Sequence, residues 1–170
     1  MKQQWTKLEA CLKASNPALL ADLNPPSTDT DIQRLEQRLG VTLPTMFTEC
    51  LKVHDGQKGK AGSLFTQGRY LSAEQIESEW CAWRDLLEQG EFEDRDSDPE
   101  CGIKTGWWRL GWVPFVSNGR GDHLCLDLDP DADGKVGQVI EVSHDVQERC
   151  LVSSTFSEWL ATEVQLKCHD

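Results

Sequence analysis

Apolar residues recur every three or four positions over residues 3–14. Trp5, Leu8 and Leu12 fall on one face, which predicts a first helix. The stretch SNPALLADL adds a short second helix before the Pro25-Pro26 break. A third helix is expected over 29–39. Thr28 and Asp31 stand at capping-box spacing, Ile32, Leu35 and Leu39 make the stripe, and Gly40 ends it. Pro44 opens a fourth helix, PTMFTECLKVH, closed by Asp55-Gly56. A short strand is expected around Leu64-Phe65. Ser72 and Gln75 then cap a longer helix to about Leu87, with Ile76, Trp80, Trp83 and Leu87 as a core-facing stripe. The segment 88–105, EQGEFEDRDSDPECGIKT, follows neither period and reads as the least structured part.

From Trp107 onward the period shortens to two. The run WWRLGWVPFVS leads through a turn at NGRGD into HLCLDLD. There Leu124, Leu126 and Leu128 point one way, and His123, Cys125, Asp127 and Asp129 the other. QVIEV and ERCLVS continue the strands. A last helix is announced by Thr155 with Glu158, and Phe156, Trp159, Leu160 and Val164 form its inner face. Helices, then strands, then a helix is an α+β order with a largely antiparallel sheet. Trp107, Trp108 and Trp112 alternate between faces. At least one belongs in the core, and an exposed one, with Trp108 as the candidate, would suit an interface anchor.

The chain has 170 residues, enough for a single domain over 1–170 with a real core. Its net charge of −12 opposes binding to nucleic-acid phosphates and suits steering toward a basic partner. No apolar run approaches a membrane span, and the N-terminus lacks the apolar centre of a signal peptide, so a cytoplasmic protein is expected. The seven cysteines are odd in number and none stands in C-x-x-C spacing; they read as reduced thiols.

The stretch DLDPDADGKVGQVIE tests for calcium. Starting the loop at Asp129 places Asp131, Asp133 and Gly134 at template positions, but Ile140 falls where the bidentate Glu belongs. Both flanks read as strands, where the calcium template needs helices. The stretch is therefore expected to be a hairpin tip, with a weak adventitious cation site as the lesser reading. A polar constellation of Asp122, His123, Asp127, Asp129 and His144 remains. His123, Asp127 and Asp129 share a strand face, along which successive same-face positions lie roughly 6–7 Å apart, too spread for a metal centre. Structural roles and partner contacts both stay open for Asp122 and Asp127.

The run WVPFVSNGRGDHLCLDLDPDADGKVGQVIEVSHD, followed by TFSEWL, resembles the SUKH superfamily, in particular its Knr/Smi group. The matching positions are Trp112, Pro114, Gly121, Asp122, Asp127, Asp129, Pro130, Gly137, Gln138, Val139 and Ile140, and LGVTLPTMFTECLKVHDGQ adds a second match upstream. The tip DADGKVG departs from a tight Gly-Gly turn, and the acidic 88–105 segment looks like an insertion. The resemblance implies helices packed on one side of the sheet, no enzymatic activity and no cofactor. Bacterial members neutralise polymorphic toxins, often nucleases. Fungal members regulate cell-wall synthesis as interaction hubs.

The leading expectation is an immunity protein that plugs the basic cleft of a toxin with its carboxylates. The alternative is a regulatory or scaffold module acting on host proteins, and a small-molecule or cation-dependent enzyme is the third class weighed. The partner-binding candidates are Glu91, Glu93, Asp94, Asp96, Asp98, Trp108, Asp122, Asp127 and Asp129. For the acidic 88–105 segment itself, a solvated loop is the favoured reading and a contact surface for a basic partner the sharper one.

Overall fold

The structure is a computed structural model that describes residues 1–169. The N-terminal part holds α1 (Lys2–Ser15), α2 (Pro17–Ala21), α3 (Asp29–Leu39), α4 (Thr45–Leu51), β1 (Arg69–Tyr70) and α5 (Ala73–Glu88). The remainder holds β2 (Asp98–Pro99), β3 (Trp112–Ser117), β4 (His123–Asp127), β5 (Gln138–Val142), β6 (Glu148–Ser153) and α6 (Phe156–His169). Among the described residues, no helix is long and apolar enough to cross a membrane.

Local chemistry explains the helix ends. Asp31 N–H donates to the Thr28 hydroxyl at 3.1 Å and Thr28 N–H donates back to the Asp31 carboxylate at 3.2 Å, closing the capping box of α3. Ser72 and Gln75 do the same for α5. Gly40 ends α3 at φ 68°, a left-handed conformation that glycine adopts without strain. Pro44 precedes α4 as its cap and the helix stops at Leu51, shorter than expected. The strand expected at Leu64-Phe65 reduces to a single bridge between Phe65 and Gly68, followed by β1.

The sheet order is β1-β3-β4-β5-β6-β2, antiparallel except for the short β2–β6 pair. The α+β class and the mainly antiparallel sheet stand as expected. Pro114 is tolerated in β3 because a register shift lies beside it and β1 reaches only Val116 and Ser117. Directly opposed residues share a face, so Val113, Leu126 and Val139 line one side and Trp112, Asp127 and Gln138 the other. On the first side Phe115 meets Phe47 of α4 and Phe156 and Trp159 of α6 at 5.7, 5.5 and 4.9 Å. On the second, Trp112 meets Trp108, which stacks on Trp83 of α5 at 4.9 Å. That second face is covered by α5 and the tryptophan loop, so the polar side of β4 never reaches water.

Helix α1 lies along α6, and Cys11 and Cys168 form a disulfide between them. This corrects the expectation of seven reduced thiols. The pair is 157 residues apart, so no local spacing announces it. Cys50, Cys81, Cys101, Cys125 and Cys150 are free.

Candidate protein-binding surface

The hairpin tip between β4 and β5 is where the alternating aspartates go. Asp127 is fully buried, which corrects its expected role as a partner contact. Burial pushes its carboxyl above the ordinary value, against hydrogen bonds from Gln138 and the Asp129 amide. Gln138 Nε2 donates to Asp127 and to the Gly102 carbonyl, each at 2.9 Å. Asp129 turns the other way, to Lys104 and Arg109, and the hydrogen bonds from these two hold its carboxyl below the ordinary value. The tip is thus a hairpin, as the alternation predicts, with Asp127 and Asp129 turned to different partners.

The second acidic region follows α5. Its backbone is anchored, contrary to the expectation of least structure. Asp98 N–H donates to Gln147 O at 2.8 Å and Glu100 N–H to Arg149 O at 2.9 Å, so β2 joins the sheet edge beside β6. Ile103 is buried, and Gly106 N–H donates to the Ser97 hydroxyl at 2.8 Å. Glu100 uses its carboxylate to accept the Leu151 amide at 2.6 Å. The side chains of Glu91, Glu93, Asp94, Asp96 and Asp98 are different: all are exposed. Among the described residues, none of the five forms a side-chain hydrogen bond or ion pair.

Trp83, Trp107, Trp108 and Trp112 are all buried. Trp108, at 2% exposure, is therefore no exposed anchor: its ring lies between Trp83 and Trp112. Trp107 carries the guanidinium groups of Arg95 and Arg149 at 4.7 and 4.8 Å from its ring centre. Arg149 is fully buried and donates to the carbonyls of Val146, Glu148 and Trp107. Next to these rings lies a groove of about 320 Å³ lined by Trp83, Leu86, Glu91, Phe92, Arg95, Trp107 and His144.

The predicted polar constellation is dispersed. His123 reaches Glu79 of α5 at 3.1 Å, away from Asp127. Asp122 and His144 do meet. One Asp122 oxygen accepts the Ser143 hydroxyl at 2.8 Å, the His144 amide at 3.1 Å and His144 Nδ1 at 2.8 Å. Burial opposes the Asp122 charge, but the hydrogen bonds from His144, Ser143 and Asn118 outweigh it and hold the carboxyl well below its usual range. Asp122, His144 and Asp145 are the one group among the described residues whose ligand atoms could converge on a cation. Lys104, Arg109, Arg95, Arg149 and Glu79 were not among the expected site residues. Gln138 was visible only as part of the Gly-Gln-Val-Ile run.

A two-faced α+β sheet with this hairpin defines the class. The chain matches the SMI1 / KNR4 family (SUKH-1) over residues 26–162 and belongs to that family. It is similar to the Cell wall assembly regulator SMI1 of Saccharomyces cerevisiae, 23% identical over 92% of this chain and 38% of that protein. It is similar to the Cell wall biosynthesis/cell cycle regulator smi1 of Schizosaccharomyces pombe, 25% identical over 95% of this chain and 35% of that protein. F-box only protein 3 of Bos taurus is 21% identical over 96% of this chain and 34% of its own length. The chain thus spans little more than a third of these relatives. The fungal relatives are named as regulators.

Proposed function

We propose that the chain is a non-enzymatic protein-binding module in a regulatory or scaffold role, with Glu91, Glu93, Asp94, Asp96 and Asp98 as contacts for a basic partner protein. The observation that carries this reading is the contrast between a fixed backbone and free carboxylates in that segment. Exposed charges with no internal partner keep their full attraction for an incoming Lys or Arg. An anchored backbone lowers the ordering cost of using them. The net charge of −12 adds long-range steering, which raises the association rate and makes it fall with salt. The fungal relatives reported above are named as regulators, and none of the reported names speaks of toxins. That favours regulation of host proteins over the toxin-neutralising reading with which the sequence began.

The test is a tagged pull-down from the chain's own host at low and high salt. Wild type is compared with a variant carrying Glu91→Gln, Glu93→Gln, Asp94→Asn, Asp96→Asn and Asp98→Asn. A basic partner lost both with salt and in the variant is the expected result. Equal recovery by the variant would move the interface elsewhere. A partner that is a basic toxin nuclease would restore the immunity reading.

A further inference from the structure

We propose that the groove beside Trp107 is a docking slot for a partner segment that places one aromatic or large aliphatic side chain between flanking Lys or Arg residues. The proposal deepens the function above and rests on it. Four pieces of chain build the slot: the end of α5 supplies Trp83 and Leu86, the turn after it supplies Glu91, Phe92 and Arg95, and the loop before β3 and the turn after β5 complete it with Trp107 and His144.

The walls are set before anything binds. Trp83 is stacked on Trp108 at 4.9 Å and meets Phe92 at 5.6 Å, while Trp107 is gripped by Arg149 from within the core. Rigid aromatic walls reduce the ordering cost of binding. Leu86 is 40% exposed at the groove, and Val146 is 44% exposed in the turn that holds His144. At about 320 Å³ the groove is small. It stands at the low end of ligand pockets, which run from roughly 300 to 1,000 Å³, and it suits an anchor side chain better than a whole small-molecule ligand.

The rim selects what flanks the anchor. Glu91 lines the groove itself, Glu93, Asp94 and Asp96 belong to the same turn, and Asp145 follows His144; all five are exposed. This is the arrangement of a protein hot spot, with an apolar centre inside a charged ring. A second copy of this chain fits poorly, because it would bring another net charge of −12 to the same rim.

The experiment is an amide and indole NMR titration of the full chain with blocked synthetic peptides. The probe is Arg-Lys-Ala-Trp-Ala-Lys-Arg. One control has alanine at the centre, and another has glutamate at every basic position. The basic Trp peptide is expected to shift Trp83, Leu86, Phe92 and Trp107. The central alanine, and separately Leu86→Glu in the protein, should each weaken binding about tenfold. The triple variant Glu93→Gln, Asp94→Asn, Asp96→Asn should weaken binding and flatten its salt dependence. Leu86 is exposed, so its variant keeps the fold, and the dispersion of the free spectrum verifies this.

Charge-dependent binding that ignores both the central residue and Leu86→Glu would overturn the slot and leave the acidic contact surface standing. Shifts confined to neither groove nor acidic turn would sink both. Groove shifts that arise on raising protein concentration alone, without peptide, would assign the slot to a second copy and overturn the peptide proposal.

Discussion

Residues 127–133 carry four aspartates and residues 91–100 carry six acidic side chains, so by composition the two regions look like the same kind of surface. In the fold they are opposites. At the hairpin tip Asp127 is buried on Gln138 and Asp129 is claimed by Lys104 and Arg109. After α5 the backbone is tied down while five carboxylates stay free. The difference lies in what stands across from each. The tip folds onto the irregular stretch 101–109, which supplies Lys104, Arg109 and the Gly102 carbonyl. The other region folds onto the aromatic loop and the sheet edge, which take its backbone and its Arg95 and leave its acids to solvent. Negative charge available to a partner is therefore set by local pairing: the tip keeps Asp131 and Asp133 exposed, while the second region presents five carboxylates.

The strongest way to break the contrast is to separate the tip from its supports. At Gly134 an added Cβ would lie 2.1 Å from the Gly102 carbonyl oxygen and 2.7 Å from Pro130 Cβ. Neither neighbour is the loose end of a side chain. Gly134→Ala should therefore destabilise by about 3 kcal/mol, lowering the melting temperature by roughly 6 to 12 °C. Thermal unfolding followed by circular dichroism measures this; an unchanged melting temperature would mean that the contact yields freely. Gln138→Leu comes next. It leaves Asp127 and the Gly102 carbonyl without their shared donor, for a loss of about 1–3 kcal/mol in urea unfolding. Burial already raises the Asp127 carboxyl, so its protonated form suits the interior better than its charged form. The deficit should shrink as pH falls through the Asp127 value, and a deficit flat with pH would contradict this account.

A milder comparison uses the ion pairs. Asp129, Lys104 and Arg109 side chains are 44%, 37% and 32% exposed, so solvent screens both bridges. Asp129→Ala should cost less than about 1 kcal/mol. Neutralising Glu93, Asp94 and Asp96 together should change stability by no more than about 0.5 kcal/mol, because these side chains touch no internal partner. Urea unfolding of both variants side by side checks the order. A larger loss from the triple change would show that the second region is structural after all.

Some of this was legible in the sequence and some was not, for physical reasons. The capping boxes at Thr28/Asp31 and Ser72/Gln75 were readable because both partners lie within one helical turn. The alternation of β4 revealed a strand and its hairpin. Alternation alone says nothing about what covers the polar side, and here Trp83 and Trp108 cover it. Asp127 therefore looked available while being buried. Trp108 looked like an anchor for the same reason, since its exposure depends on α5 arriving over it. The partners of Asp129 lie 20 and 25 residues back in the chain, and the two half-cystines 157 apart; pairings across such distances leave no local period. The acidic 91–100 run was visible as charge. Its fixed backbone was not, because the two-residue β2 is too short to show a pattern.

Asp122 stands between the two extremes, exposed in part yet fully engaged, and it carries the smallest expected effect. Its hydrogen bond to Nδ1 raises the His144 pKa above 6.5, with the nearby Asp145 charge adding to the rise. A histidine whose pKa is raised by folding contributes stability below 6.5, and that contribution disappears as pH climbs through the folded value. Asp122 works in the opposite sense. Its carboxyl is held below 3.8, so its contribution is present above 3.8 and is lost as pH falls further. The pair is therefore most stabilising between the Asp122 and His144 transitions. His144→Gln should remove a small increment of melting temperature at pH 5–6, with the gap to wild type closing as the solution turns alkaline. Because His144 is exposed, added salt should narrow the gap as well. A gap that stays constant from acid to alkaline pH would show that His144 acts by packing against the groove and that its charge contributes nothing.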